Sequence, residues 1–220
     1  MKFCLLPFPL NVYAQTLALE YGNVEHLHFG VFPAGLDQAY PAAQGKAQEL
    51  LQDLLIAAPA RVLEVGCGTG NLARALTAQG YTVTALTSLA AEAEVLRETG
   101  TEHFHGDFLH FQLPKNQPPQ RFDIIVLQQS AQYFAPVVLL ARVKDCLREG
   151  GQLLIADEFL LDDCRRAHEP LPLLQHFLQL ATRCGFHIER QQELGALVAP
   201  GLGLFRNLLL QHQVTLCAML

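Results

Sequence analysis

The sequence has little charge and no concentration of positive charge. Only 16% of its 220 residues are charged, and 21 Asp and Glu outnumber 15 Lys and Arg to give a net charge of −6. A surface that binds nucleic acid without sequence preference needs a basic patch. The basic residues here are scattered along the chain without a cluster. We therefore expect no nucleic-acid partner.

Cysteine pairs and long apolar runs are also missing. None of the six cysteines forms a C-x-x-C pair, and free thiols in a reducing cytoplasm are the simplest interpretation. No apolar stretch reaches the length of a membrane span, so we expect none. The opening MKFCLLPFPL is broken by Pro7 and Pro9, which favours a structural N-terminus over a secretory signal. With half its residues hydrophobic, the sequence predicts one cytoplasmic domain over residues 1–220.

Short apolar runs alternate with helical patterns along the chain. Strands are predicted at 61–65, 81–86, 101–105, 122–127, 152–159 and 186–191. Helices are predicted at 42–57, 71–79, 90–98, 136–148 and 171–184, with Gly150 and Gly151 capping the fourth. This order predicts an α/β fold with a doubly wound, mostly parallel Rossmann-like sheet and helices on both faces. Ligands of such sheets bind at the carboxyl ends of the strands.

The segment VLEVGCGTG, residues 62–70, is the first candidate site. Gly66, Gly68 and Gly70 allow a tight turn and bring bare backbone close to a ligand, and the next helix offers unpaired N–H groups at its start. The spacing is G-x-G-x-G, and Asn71 stands where the dinucleotide fingerprint has its third glycine. A nicotinamide-dependent oxidoreductase is therefore the less favoured of two enzyme hypotheses.

The same segment resembles the first motif of the class I S-adenosylmethionine-dependent methyltransferases. The resemblance continues in the same order through most of the chain, at GDF (106–108), FDIIVLQQSAQYF (122–134), LREGGQLLIADEF (147–159) and CGFHIERQQELG (184–195). Glu149 replaces the proline that is usual in the fourth of these motifs. The resemblance implies S-adenosylmethionine as cofactor and a seven-stranded sheet, with six strands as the alternative.

The resemblance also assigns cofactor contacts by position. Gly66, Gly68 and Gly70 would lie against the methionyl and ribose parts, and Glu64 would support the amino group. Asp107 would accept from the adenine amine, and Phe108 would flank the ring, although Asp107 could equally be a turn residue. Two further candidate cofactor contacts are Cys67 and Gln128.

The second strand departs from the commonest family pattern, in which Asp or Glu at the strand end accepts from the ribose hydroxyls. Here Thr87 stands at that position. TVTALTSLAAEAE (82–94) instead resembles the variant of cyclopropane fatty acid synthases and tocopherol-type methyltransferases, in which a Gln five residues later reaches the ribose. Glu92 stands at that Gln position. Either Glu92 accepts from the ribose hydroxyls, or it is a solvated helix residue.

The segment after the fourth strand bears on the reaction. Cyclopropane synthases carry a Glu where Gln132 aligns, and an amide cannot replace that carboxylate, which argues against cyclopropanation. The implied function is methyl transfer to a small organic acceptor at nitrogen, oxygen or carbon, by in-line displacement in an aligned and water-free site. The substitutions at 87, 129, 132 and 149 keep open a non-catalytic cofactor-binding or partner subunit with the same fold.

Residues 1–41 are predicted to form a lid segment over the cofactor, because HLHFGVFPAG (26–35) resembles the family's H-x-G-x-W-x-x-G segment. Candidate contacts with cofactor or substrate there are Tyr13, Tyr21 and His28. Gln129, Tyr133 and Glu158 are predicted to surround the acceptor, without a definite catalytic base and without a metal.

The C-terminal VTLCAML (214–220) is interpreted either as strand seven or as the continuation of the preceding helix. If strand seven is absent, we expect the acceptor pocket to be open or to be completed by a second subunit, which would make the protein a homodimer.

Overall fold

A computed structural model describes residues 2–34, 39–112, 121–161 and 171–219. Within these ranges one sheet of five parallel strands forms the centre, in the order β3-β2-β1-β4-β5. The strands are β1 (Arg61–Val65), β2 (Thr82–Thr87), β3 (His103–His105), β4 (Phe122–Gln128) and β5 (Leu147–Ala156). The chain order reverses direction at β1, so the carboxyl ends of β1 and β4 flank the switch point at which such sheets bind ligands.

Seven helices accompany the sheet in the described ranges. They are α1 (Leu10–Tyr21), α2 (Tyr40–Gln52), α3 (Asn71–Ala78), α4 (Ala90–Glu98), α5 (Pro136–Cys146), α6 (Leu174–Arg183) and α7 (Gly195–Met219). Short 3-10 turns occupy Lys2–Leu5, Phe108–His110 and Ala131–Tyr133. By its length and hydropathy, none of the helices in these ranges could cross a membrane.

Alternation along β1 divides the core into two layers. Leu63 and Val65 point into a cluster that α5 and α6 complete, whereas Val62 packs with residues of α2 and α3 on the opposite face. Successive side chains of a strand alternate between faces, and the strand is apolar on both because helices cover both. Glu64 shares the face of Val62, which turns its carboxyl toward the start of α3.

The N-terminal part of the chain makes its own cluster. Tyr13 of α1, Tyr40 of α2 and Phe205 of α7 meet with ring centroids 4.8–6.2 Å apart. Within the lid segment, α1 ends before Gly22, and the chain then has no regular structure over residues 23–33. This cluster therefore anchors both ends of the described lid segment beside the sheet.

In the second half of the chain the predicted strand at 186–191 and the predicted diglycine cap are wrong, and the open interpretation of residues 214–220 is decided for 214–219. Residues 186–191 are not a strand, because they are largely exposed and pair with no described strand. Residues 214–219 continue α7, whose buried Leu208 and Leu216 lie on one helical face, so the strand interpretation fails and the helix interpretation holds for them. The expected count of six or seven strands thus becomes five in the described ranges. The helix predicted over 136–148 ends at Cys146, and its predicted caps, Gly150 and Gly151, lie within β5 instead.

Candidate functional site

The glycine loop joins β1 to α3 and is tied to the end of β2. The N–H groups of Gly66 and Cys67 both donate to the Leu86 carbonyl, at 2.8 and 3.1 Å. Gly66 has φ = 76°, and a Cβ atom there would lie 2.6 Å from the Cβ of Ser130. Glycine at 66 is therefore required both by the backbone conformation and by the close approach of the segment after β4.

Glu64 presents a buried carboxyl group beside this loop. Its side chain is 4% exposed, and one oxygen accepts from the Ala73 N–H at the start of α3. The other oxygen, Oε2, finds no hydrogen-bond partner in the described part of the chain. Burial, reinforced by the negative charge of Glu92, raises the pKa of Glu64 to about 8. A buried oxygen without a partner is costly, which points to a ligand that donates to it.

Thr87 and Glu92 form the second polar pair of the site. The Thr87 hydroxyl donates to Oε2 of Glu92 at 2.5 Å and accepts from the Leu89 N–H at 3.0 Å. Both side chains are buried, and burial raises the pKa of Glu92. Glu92 also lines a narrow cavity with six other residues, which are Leu6, Leu27, Gly68, Thr69, Ala91 and Val95. The interpretation of Glu92 as a solvated helix residue does not hold.

In the segment after β3, the side chains of Asp107 and Phe108 make contacts that stabilise the fold. Asp107 Oδ1 accepts from the Leu109 N–H at 2.9 Å and so caps the short turn, and the half-exposed Asp107 also approaches the His110 ring. The Phe108 ring is 2% exposed and packs edge-on against Phe134 in the main core. The backbone of this segment ends at the same sheet edge as the glycine loop, whereas the Phe108 ring points into the core.

The segment after β4 is hydrogen-bonded to β1, to β5 and to the lid segment. The Ser130 hydroxyl donates to the Val65 carbonyl at 2.5 Å, and the Gln129 N–H donates to the Ala156 carbonyl at 2.8 Å. Gln129 Oε1 accepts from the Phe29 N–H of the lid segment at 3.1 Å. Gln129 is thus placed between the sheet and the lid segment, and Gln128 is the last residue of β4.

Asp157, at the end of β5, is a site residue that sequence reasoning missed. Its Oδ2 accepts from the N–H groups of Ala131 and Gln132, at 2.6 and 3.1 Å, and holds the turn after β4. Burial raises its pKa despite these hydrogen bonds. The signal was present, since an acid directly after a predicted parallel strand stands at the edge of the sheet where ligands bind.

Tyr133 and Glu158 lie at the carboxyl ends of β4 and β5. The Tyr133 side chain is mostly exposed. Partial desolvation, followed by the charges of Asp157, Glu92 and Glu158, raises its pKa. The Tyr133 hydroxyl therefore lies within electrostatic reach of Glu92, which places the predicted acceptor side next to the predicted cofactor side.

The lid segment crosses the glycine loop. The Thr69 hydroxyl donates to the Glu25 carbonyl, and Leu27 lies 3.5 Å from the position that a Cβ on Gly68 would take. Gln44 of α2 donates its amide hydrogens to the His26 and His28 carbonyls of the lid segment, at 3.1 and 2.7 Å. Residues 25–28 are thereby held over the loop.

Two histidines of the lid segment form a chain of hydrogen bonds with neutral rings. His28 Nδ1 lies 3.0 Å from the Phe29 carbonyl, which requires a proton on Nδ1 and leaves Nε2 as an acceptor. His26 Nδ1, 3.1 Å away, then donates to His28 Nε2, and His26 Nε2 accepts from the Asn71 amide at 3.1 Å. Burial is the main cause that lowers the pKa of each ring to about 4. His28 therefore serves the closure of the lid segment as a neutral group.

The other aromatic candidates lie away from the loop. The Tyr13 hydroxyl donates to the His28 carbonyl at 2.8 Å and lies 3.1 Å from the Gln44 amide nitrogen, and burial raises the pKa of Tyr13. Tyr21 packs against the N-terminal cluster around Tyr13 and Tyr40. Burial raises the pKa of the Cys67 thiol within the glycine loop, which keeps it neutral. Among the described residues no cluster of side chains is suited to hold a metal ion.

Comparison with known proteins finds methyltransferases similar to this chain. A methyltransferase described as uncharacterized, from Bacillus mycoides strain KBAB4, is 28% identical over 137 residues, which are 60% of this chain. The chain matches 62% of the length of that relative.

Two solved structures have a similar fold. A cyclopropane synthase from Mycobacterium tuberculosis has a TM-score of 0.74 at 18% identity, over 99% of this chain and 81% of the other. Geranyl diphosphate C-methyltransferase from Streptomyces coelicolor A3(2), in complex with Mg²⁺, geranyl diphosphate and S-adenosyl-L-homocysteine, has a TM-score of 0.71 at 14% identity, over 90% and 86%. At these identities the likeness concerns the fold alone.

The family model described as a methyltransferase domain matches residues 41–199. That range contains the whole sheet, the glycine loop, Glu64 and the Thr87–Glu92 pair, and it leaves the lid segment outside. Because the match covers well over half of the 220 residues, the chain belongs to the methyltransferase domain family.

Proposed function

We propose that the protein transfers a methyl group from S-adenosylmethionine to a small organic acceptor. The observation that carries the proposal is the buried Glu64 Oε2, which lacks a hydrogen-bond partner in the described ranges and belongs to a carboxyl group whose charge acts on Cys67 of the glycine loop. A ligand with an ammonium group would satisfy that oxygen. Membership of the methyltransferase domain family and the S-adenosyl-L-homocysteine bound to the Streptomyces enzyme support the same ligand class.

The polar residues of the site fit the separate parts of this cofactor. Glu64 would hold the ammonium group, and Glu92 would accept from the ribose hydroxyls while the Thr87 hydroxyl fixes its orientation. Asp107 is the candidate for the adenine amine, since its side chain is half exposed at the same sheet edge. Gly66 leaves space where a side chain would collide with Ser130.

The cofactor, when bound, supplies a methyl group on a positively charged sulfur, which is a good leaving group. The protein's part is then alignment and exclusion of water. Leu6 and Leu27 supply apolar cover over the cavity, and the turn held by Asp157 fixes the approach of the acceptor from the β4 side. A general base is needed only for an acceptor that must lose a proton during attack.

The acceptor side favours nucleophiles that already carry an available electron pair. Gln128, Gln129 and Gln132 are neutral amides at the end of β4, and Tyr133 is held in its neutral form by its raised pKa. The carboxyl groups nearby, Asp157 and Glu158, lie beyond the β5 end. An acceptor nitrogen, oxygen or carbon that ionises readily would therefore react here without a dedicated catalytic dyad. Gln132 argues against cyclopropanation even though the fold resembles that of a cyclopropane synthase.

Isothermal titration calorimetry with S-adenosylmethionine and S-adenosylhomocysteine tests the proposal. We expect saturable binding of both by the wild type and much weaker binding by Glu64→Gln, which keeps the size of the side chain but cannot ionise to pair with the ammonium group. Absence of binding by the wild type would overturn the proposal. Binding without transfer of a labelled methyl group to any member of a broad acceptor panel would favour a cofactor-binding subunit instead.

A further inference from the structure

Gln129 has an unusual backbone conformation. Among the described residues it alone combines a side chain with a positive φ, at 52°. The left-handed region is unfavourable for residues with a Cβ atom, and Gln is not among those that tolerate it best. Such a conformation persists only where the surrounding structure imposes it, and it is often found at functional positions.

The surroundings show what imposes this conformation. The Gln129 N–H is fixed on the Ala156 carbonyl of β5 at 2.8 Å, so the backbone cannot rotate freely. The next residue, Ser130, is fixed on the Val65 carbonyl at 2.5 Å. The Gln129 N–H and the Ser130 hydroxyl are thus both bonded to the sheet, and Gln129 Oε1 accepts from the Phe29 N–H of the lid segment at 3.1 Å.

The same two residues connect two parts of the site. Ser130 touches the glycine loop, where it leaves no space for a side chain at Gly66. Gln129 touches the lid segment one hundred residues earlier in the chain. The turn after β4 is therefore a joint between the glycine loop and the lid segment.

The lid segment has its other attachment on the far side of the loop. Glu25 is bonded to Thr69, and His26 is bonded to Asn71 at the start of α3. Between these attachments and Phe29, Leu27 covers Gly68 and lines the narrow cavity together with Glu92. With both attachments in place the cavity has no space even for a water molecule, so a ligand can enter it only when an attachment opens.

We propose that Gln129 is a positioning residue that latches the lid segment over the glycine loop, and that its release controls access to the cavity. The hydrogen bond to the Phe29 N–H is the latch, and the strained backbone of Gln129 aims it. An acceptor oxygen at the end of a side chain of this length is required, so Glu satisfies the requirement whereas Gly and Asn do not. The inference rests on the proposed function only for the identity of the ligand. The latch itself is a property of the free protein.

Hydrogen–deuterium exchange of the free protein, followed by mass spectrometry on peptides covering residues 23–34, tests the latch directly. In Gln129→Gly we expect exchange at the Phe29 amide and its neighbours to accelerate at least tenfold, with the melting temperature unchanged or raised because glycine accepts φ = 52°. In Gln129→Glu we expect near-wild-type exchange, because a carboxylate oxygen also accepts from the Phe29 N–H. Wild-type exchange in Gln129→Gly would overturn the proposal.

A matched control separates latch release from general loss of stability. Gln213 is an exposed residue of α7, so Gln213→Gly lowers stability through helix propensity and leaves the lid segment untouched. We expect no acceleration at residues 23–34 in this control, and equal acceleration in both variants would contradict the latch. If Gln129→Gly does not fold, Gln129→Asn replaces it, since Asn tolerates the left-handed region and is one methylene too short.

A second measurement concerns access to the cavity. With S-adenosylhomocysteine as probe, stopped-flow mixing should show association and dissociation rates both raised in Gln129→Gly, with the Kd changed less than either rate. Unchanged rates in a variant whose exchange is accelerated would overturn the role in access. Absence of S-adenosylhomocysteine binding in the wild type would contradict the proposed function. The hydrogen–deuterium exchange of the free protein would still test whether Gln129 holds the lid segment.

Discussion

The Thr87 hydroxyl donates to Oε2 of Glu92 across 2.5 Å, and both side chains are buried at the end of β2. In nucleotide-binding α/β folds a single carboxylate near this strand end commonly accepts from the ribose hydroxyls. Here a hydroxyl at the strand end orients a carboxyl from the first turn of the next helix. The pair delivers an acceptor oxygen to the cavity from a different element of the fold, which supports a ribose contact at Glu92.

Removal of the Glu92 carboxyl should weaken cofactor binding. We expect Glu92→Ala to cost about 1.5–3 kcal/mol of binding free energy, or roughly 10- to 150-fold in Kd, which is the usual value of a hydrogen bond to a charged group. Calorimetric titration with S-adenosylhomocysteine measures the change. Glu94→Ala is the matched control, because Glu94 lies on the same helix, is exposed and pairs with Arg97 on the surface. Equal affinities of both variants would remove Glu92 from the site.

The two buried carboxyl groups also predict how stability depends on pH. The pKa of Glu64 is raised from its ordinary value of 4.5 to about 8, since burial and the charge of Glu92 oppose ionisation. A folded-state pKa above the unfolded value means that the neutral form stabilises the fold below pH 4.5, and that this contribution is lost as the pH rises toward 8. Arg74 and the Ala73 N–H face the same group and limit the loss.

Urea unfolding of the free protein at pH 5.5 and pH 8 measures this dependence. We expect Glu64→Gln to lose less stability over that interval than the wild type, because an amide does not ionise. Exposed Glu94→Gln should follow the wild type. Parallel curves for Glu64→Gln and the wild type would show that Glu64 ionises freely in the folded protein.

Much of the sheet could be predicted from the sequence, because β1 and β4 are buried on both faces and appear as short apolar runs that turn signals separate. The glycine loop and Glu64 could be placed for the same reason, since they follow directly on β1. The first helix could not be predicted. Its five consecutive buried residues, 13–17, are enclosed by α7 and by the rest of the lid segment. No single apolar stripe therefore marks the helix in the sequence.

The contacts of the lid segment were beyond sequence reasoning for a different reason. Gln129 and Phe29 are one hundred positions apart, and His26 and Asn71 are 45 apart. The local pattern of residue types carries no information on which side chains will form hydrogen bonds with groups that are distant in the sequence. The strand predicted at 186–191 failed in the converse way, because a local β pattern has no value without a neighbouring strand to bond.

Acid should weaken the attachment of the lid segment. Burial lowers the pKa of His26 and of His28 from 6.5 to about 4, with Arg74 adding to the effect on His26. A folded-state pKa below the unfolded value means that the stabilisation is complete above pH 6.5 and is lost as the pH falls toward 4. Each proton excluded by the fold contributes a slope of about 1.4 kcal/mol per pH unit within that window.

The free energy of unfolding at pH 7 and at pH 5 tests this expectation. A His26→Gln/His28→Gln double variant cannot take up these protons, so its stability should fall less between the two pH values than that of the wild type. His187→Gln, at an exposed position after α6, should keep the wild-type dependence. A double variant as pH-sensitive as the wild type would contradict the neutral histidine chain.

A methyl group at residue 66 should damage the glycine loop more than one at residue 100. Both Gly66 and Gly100 have positive φ, at 76° and 69°, so alanine is strained at either position by about 1–2 kcal/mol. At Gly100 the added Cβ meets open space, whereas at Gly66 it lies 2.6 Å from the Ser130 Cβ. We expect Gly66→Ala to cost roughly 1–3 kcal/mol more in unfolding free energy than Gly100→Ala, the usual penalty of overpacking, and to abolish measurable binding of S-adenosylhomocysteine. Gly100→Ala should bind as the wild type does, and comparable losses in the two variants would show that the approach of Ser130 to the loop is not what makes glycine necessary there.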